Sequence, residues 1–131
     1  PEQPGVKKLN NVQHLFTPVT AHIQDGVSRT EILKTLHPTP AVGGYPRDKA
    51  VPYIRELENF ERGWYAGPVG WINAAGEGEF AVAIRSGLIK KNEAHFFAGC
   101  GIVEHSDPQK EWDETNLKFI PLLSALKYAI Q

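Results

Sequence analysis

Two hydrophobic periods divide this chain into elements. From Asn11 to Ile23, apolar side chains and one histidine fall on alternate positions, Val12, His14 and Phe16, then Val19, Ala21 and Ile23. This spacing predicts one or two strands with a break near Pro18. Ser28-Arg-Thr-Glu31 has the form of a capping box, and Ile32, Leu33 and Leu36 supply one apolar face of a short helix behind it. The stretch from His37 to Pro46 is so rich in Pro and Gly that a shaped loop is expected, not a helix or a central strand. Helical spacing resumes over 47–60 at Ala50, Ile54, Leu57 and Phe60, with Pro52 expected in the first turn. Apolar segments at 67–72, 79–86 and 94–98, separated by two turn-like stretches, predict a three-stranded antiparallel meander. Ser106-Asp-Pro-Gln then starts a helix carrying Trp112, Phe119, Leu122, Leu123, Leu126 and Ile130, which Pro121 is expected to kink or split near Ile120.

Composition narrows the class. A net charge of −1 over 131 residues gives no electrostatic case for nucleic acid or an acidic membrane surface. The single Cys100 excludes an intrachain disulfide and makes a reducing, cytoplasmic setting the default expectation. No apolar run reaches the roughly 18–20 residues of a membrane span, and no signal-peptide pattern opens the chain. A chain of this length is expected to form one domain and to bury roughly two thirds of its unfolded surface. Residues 1–8 read as a polar linker or tail, leaving 9–131 as the folded part. The chain opens on Pro1 and holds no methionine, which suggests an incomplete gene product.

Several groups of residues could carry chemistry. Glu111, Glu114 and Lys118 are spaced i, i+3 and i+7, so on a helix they share one face. Two carboxylates one turn apart suit a hard cation, since magnesium usually takes one or two protein carboxylates with water and substrate oxygens. The same spacing equally describes a solvated charged face with a Glu–Lys pair. Phe97-Ala-Gly-Cys-Gly-Ile-Val103 places Gly99 and Gly101 where backbone amides could approach an anion, or where the chain simply turns. Arg85 is expected in the middle strand of the meander, where a guanidinium needs a carboxylate or solvent. Tyr65 could offer a hydroxyl to the same anion or pack. The five histidines and Cys100 show no zinc-type pairing, and His14 reads as a buried, hydrogen-bonded histidine.

In order, six stretches resemble the C-terminal part of the chorismate-utilising enzymes. They are Asn11-Val-Gln-His-Leu15, Leu36 to Arg47, Phe60 to Trp71, Phe80-Ala-Val-Ala-Ile-Arg-Ser86, Phe97 to Val103, and Ser106 to Thr115, closed by Lys118. Within that family, His37-Pro-Thr-Pro-Ala41 and Gly63-Trp-Tyr-Ala-Gly-Pro68 resemble the isochorismate synthases. Salicylate synthases tend to carry Thr at the Ala41 position, and anthranilate-type enzymes word the following residues differently.

The resemblance implies an α+β fold of packed antiparallel sheets flanked by helices, of which this chain is the C-terminal portion. It implies a Mg2+ ion held by Glu114 directly and by Glu111 directly or through water. Chorismate, or isochorismate, would be bound by Arg85 and Tyr65 with help from the amides of Gly99 and Gly101. Lys118 and His14 would lie against the substrate, and Ala41 would mark the subgroup. The general base Lys and general acid Glu of the family fall in the preceding part of the enzyme, so turnover by this chain alone is not expected. Partners implied are that missing part and, through the apolar surface left open, other copies of the chain. Pathways of this group lead to menaquinone, catechol siderophores or salicylate. The competing readings are a salicylate synthase-type chorismate lyase, which releases pyruvate, and a non-catalytic binding module of the same fold.

Overall fold

The computed structural model describes residues 3–8 and 13–129. The sheets are three separate antiparallel pairs, interleaved with helices, which makes the chain an α+β structure. Strand β1 (Gly5–Lys8) pairs with β2 (Gln13–Phe16), so the polar segment read as a tail contains a strand. Val12 and Ile130, expected on the first strand and the last helix, lie outside the described residues. Beyond Phe16 the second half of the predicted strand region forms no regular element.

Helix α1 (Arg29–Leu36) starts on the expected capping box. The Glu31 amide donates to the Ser28 hydroxyl at 3.2 Å, and the Ser28 amide donates to the Glu31 carboxylate at 2.8 Å. The Ser28 amide, and after it the Ser28 hydroxyl, hold the Glu31 carboxyl below the usual carboxylate range. At the other end, the Arg47 guanidinium donates to the carbonyls of Thr35 and His37 at 3.1 and 3.2 Å, where the helix leaves acceptors unpaired.

The Pro/Gly-rich segment is not wholly a loop. Pro40–Gly43 forms a single helical turn, α2, because Pro40 at its first position needs no amide and is preset for helical φ. Helix α3 (Arg47–Leu57) ends three residues earlier than the apolar spacing suggests, where the Glu58 amide closes on Ile54. Pro52 is its sixth residue and not in the first turn; the only hydrogen bond it forfeits is to the Asp48 carbonyl.

The three-stranded meander is corrected to two hairpins, β3 (Pro68–Ile72) with β4 (Gly78–Val82) and β5 (Ser86–Lys90) with β6 (Glu93–Phe97). Gly87-Leu-Ile-Lys-Lys-Asn92, read as a connecting turn, is mostly strand, and the reversal is confined to Lys91 and Asn92. Lys91 has φ 54°, the left-handed conformation that tight hairpins require. Each hairpin sets a glycine opposite a phenylalanine, Gly70 with Phe80 and Gly87 with Phe96. A Cβ on Gly70 would sit 2.6 Å from the Phe80 ring, so the ring occupies the room the missing side chain leaves.

Helix α4 (Pro108–Ala129) starts as expected. The Lys110 amide donates to the Asp107 carboxylate at 2.9 Å, and Pro108 takes the first helical position. Pro121 does not split it; the helix runs through all 22 residues. The freed Leu117 carbonyl belongs to an exposed residue, which water can satisfy. No helix among the described residues is long and apolar enough to cross a membrane.

Packing is thin. Among the described residues only Ala66 and Gly43 are buried. The chain exposes 11612 Å2. Folded monomers of this mass expose about 6,900 Å2 by size scaling, so the excess is roughly 4,700 Å2, and the expected two-thirds burial falls to roughly 45%. Trp64, Val19 and Leu57 are each about 80% exposed or more.

Candidate functional site

The site is assembled around one backbone contact. Ala66, with φ 61° and 4% exposure, donates to the Ala83 carbonyl at 2.9 Å, and the Ala83 amide donates to Gly67 at 2.8 Å. These bonds continue the β3–β4 ladder past its assigned ends. They tie the backbone just after Tyr65 to the end of β4, two residues before Arg85. Arg85 is therefore not in a strand, as expected from the sequence; it sits at the corner between β4 and β5 with φ 48°. It is exposed, with no hydrogen bond or ion pair among the described residues.

The Tyr65 ring stacks on Phe97, centroids 5.3 Å apart, at the end of β6. Two residues on, Gly99 lies under the phenol: a Cβ there would come within 3.0 Å of Tyr65 Oη. Burial raises the Tyr65 phenol above its ordinary value of 10.0, which keeps it a neutral donor across the physiological range. The amides of Gly99 and Gly101 donate to no group among the described residues, and a Cβ on Gly101 would meet open space. The sequence pointed to both amides as anion donors, and both are available for one.

Lys118 connects this loop to α4. Its Nζ donates to the Gly99 carbonyl at 2.9 Å and pairs with Glu114 Oε1 at 2.6 Å. The lysine side chain is 19% exposed against 56% for Glu114. The Lys118 hydrogen bond and then its charge hold the Glu114 carboxyl below the usual range, and Arg85 adds to the effect from across the site. Glu111, half-buried, lies one turn before Glu114 on the same helix.

Tyr65, Gly99, Lys118 and Glu114 therefore form one chain of contacts, and the charge of Arg85 acts on its Glu114 end. Among the described residues no group of three or more His, Cys, Asp or Glu gathers as a ready metal cage. The donor set here is two carboxylates one helical turn apart, which matches what magnesium asks of a protein when substrate and water complete its shell.

The remaining expected residues stand further off. Ala41 is exposed on α2 and joins the cluster only through its neighbour Val42. The backbone of His14 is in β2 opposite Lys7, but its side chain lies outside the described residues. An open cavity of about 870 Å3 has Val42, Ile54, Phe60, Arg62 and Tyr65 among its walls, so it flanks the cluster without containing Glu114 or Arg85. Sequence reasoning missed Arg62 and Glu58, whose ion pair forms part of that wall. Their i, i+4 spacing was visible, but Glu58 caps α3 and Arg62 lies beyond it, so no helical face predicted the contact.

The α+β fold, with a helix and two hairpins meeting at the Gly99 loop, is that of a chorismate-binding type of domain, as comparison with known proteins shows. The sequence profile described as "Chorismate binding enzyme" matches residues 1–127, and this chain belongs to that family. It is 53% identical over 126 residues to the isochorismate synthase MenF of Bacillus subtilis, covering 96% of this chain and 27% of that protein. It is 49% identical over 130 residues to the salicylate biosynthesis isochorismate synthase of Pseudomonas aeruginosa, covering 99% of this chain and 26% of that one. Among solved structures it matches one described as a 2,3-dihydroxybenzoate-specific isochorismate synthase, DhbC, of Bacillus anthracis. That match has TM-score 0.83 and 34% identity, and covers 97% of this chain and 34% of the other. The chain spans about a quarter of the length of the two curated relatives described.

Proposed function

We propose that this chain supplies the metal-binding and carboxylate-binding part of an isochorismate synthase. The relatives' names give the reaction, conversion of chorismate to isochorismate. The run of contacts from Tyr65 through Gly99 and Lys118 to Glu114 is the single observation that supports the reading for this chain.

Chorismate is a small dianion, and the cluster has the chemistry to hold one. Arg85 offers a planar fork to one carboxylate, and the neutral Tyr65 phenol and the free Gly99 and Gly101 amides offer further donors. Each such charge-assisted bond contributes about 1.5–3 kcal/mol. Glu114, with Glu111 beside it, would hold Mg2+, which supplies positive charge to a substrate carboxylate when bound. Lys118 holds the Gly99 loop against α4 and keeps Glu114 ionised. His14 and Ala41 complete the proposed contacts, Ala41 as the position that leans the product toward isochorismate and away from salicylate.

The reaction adds water at one ring carbon and expels hydroxide from another, so it needs a general base and a general acid. We assign these to a Lys and a Glu in the part of the enzyme that this chain does not span. Chromatography of products from chorismate and Mg2+ tests the proposal in two arms. Full-length enzyme should give isochorismate and the 131-residue chain should give no turnover. Salicylate as the main product would overturn the role given to Ala41, and turnover by the chain alone would overturn the assignment of acid and base.

A further inference from the structure

Arg62 belongs to none of the contacts proposed above, yet it is the most fully engaged side chain near them. Its Nε and Nη2 take both oxygens of Glu58, at 2.8 and 2.6 Å, in the parallel geometry that an arginine fork and a carboxylate share. The remaining donor used, Nη1, reaches the Val42 carbonyl at 2.7 Å, twenty residues back. The guanidinium carbon lies 5.8 Å from the centroid of the Tyr65 ring, within cation–π range. The ion pair is half-buried, and Glu58 raises the Arg62 pKa, so the guanidinium stays charged. One side chain therefore touches the turn that carries Ala41, the end of α3 and the ring of Tyr65.

We propose that Arg62, held by Glu58, is a positioning residue that fixes Tyr65 relative to the Pro40–Gly43 turn. The inference rests on the reading of Tyr65 as a substrate contact. Without the Arg62 guanidinium, the fork to Glu58 and the bond to the Val42 carbonyl are both lost. The phenol then keeps only its stack on Phe97, and its hydroxyl is free to move off Gly99. Lysine cannot stand in, because its compact ammonium lacks the planar fork that takes both Glu58 oxygens while reaching the Val42 carbonyl.

Steady-state kinetics on the full-length enzyme, with chorismate as the varied substrate, tests this. Tyr65→Phe should raise KM about tenfold, the loss of one charge-assisted bond. Arg62→Met and Arg62→Lys should raise KM by a similar factor with kcat within about threefold, and Arg62→Met in the Tyr65→Phe background should add less than twofold. Glu58→Gln, which keeps the shape and loosens the fork, gives the same readout should Arg62→Met fail to fold, and should raise KM about threefold. If Tyr65→Phe raises KM while Arg62→Met or Glu58→Gln leaves it within twofold, the positioning role is wrong and the Tyr65 contact stands. The positioning role is equally wrong if the Arg62 and Tyr65 effects multiply as independent losses. If Tyr65→Phe leaves KM unchanged, the substrate contact itself falls.

Discussion

Separating these 131 residues from any other polypeptide should give a chain that self-associates and lacks a sharp unfolding transition. The magnitude comes from the exposed surface. The chain shows 11612 Å2 where a compact monomer of its mass shows about 6,900 Å2, an excess of roughly 4,700 Å2. Obligate interfaces bury on the order of 2,000–5,000 Å2, so the surplus is as large as a whole permanent partner surface. At about 25 cal/mol per Å2, covering only 600 Å2 of apolar area contributes about 15 kcal/mol, the upper end of a domain's net stability. Trp64, Val19, Leu57 and Trp112 are among the large apolar side chains left open. Sedimentation over a concentration series should show mass rising with concentration, dye probes of apolar surface should brighten, and urea should give a broad, shallow transition. Co-expression with the remainder of a full-length isochorismate synthase should suppress all three. A monodisperse monomer at about 100 µM, with one steep urea transition, would refute the reasoning, because no such chain leaves that area open.

Three smaller tests address the site. In an alkaline titration followed at 295 nm, one of the four tyrosines should ionise above pH 10.0, and Tyr65→Phe should delete that step. Because the folded phenol is raised, its contribution to stability is complete below pH 10.0 and is lost as pH rises through the folded value. Equal ionisation of all four near pH 10.0 would remove the case for a covered phenol. The Glu114 carboxyl is depressed instead, so its contribution is complete above pH 4.5 and is lost as pH falls through the folded value. Lys118→Met should move it back toward 4.5 in a carboxyl-carbon NMR titration, and an unmoved value would mean that the 2.6 Å pair does not persist in solution. In the full-length enzyme, Glu114→Gln should raise the Mg2+ concentration for half-maximal activity at least tenfold; an unchanged requirement would place the metal elsewhere.

What the sequence disclosed and what it hid divide along one physical line. Features set by neighbours three or four residues apart were legible. Ser28 and Glu31 announced the start of α1, and Glu111, Glu114 and Lys118 announced one face of α4. Features set by how distant segments meet were not. The Ala83 bonds back to Ala66 and Gly67 carry the first hairpin to Ala83, and the corner follows at once, where the Ile84 amide turns back to the Val82 carbonyl before a new strand begins at Ser86. Read locally, Gly87 and the Lys-Lys-Asn that follows look like a turn, so the two hairpins merge into one meander. The same corner takes Arg85 out of the strand, and its charge still acts on Glu114. Arg62 was hidden for a related reason: its partners, Glu58 and the Val42 carbonyl, meet only after α3 has ended and the chain has doubled back on α2. Its carbonyl bond and its place over the Tyr65 ring are tertiary contacts, and tertiary contacts are what make a cluster of donors into a site that can hold one molecule in one orientation.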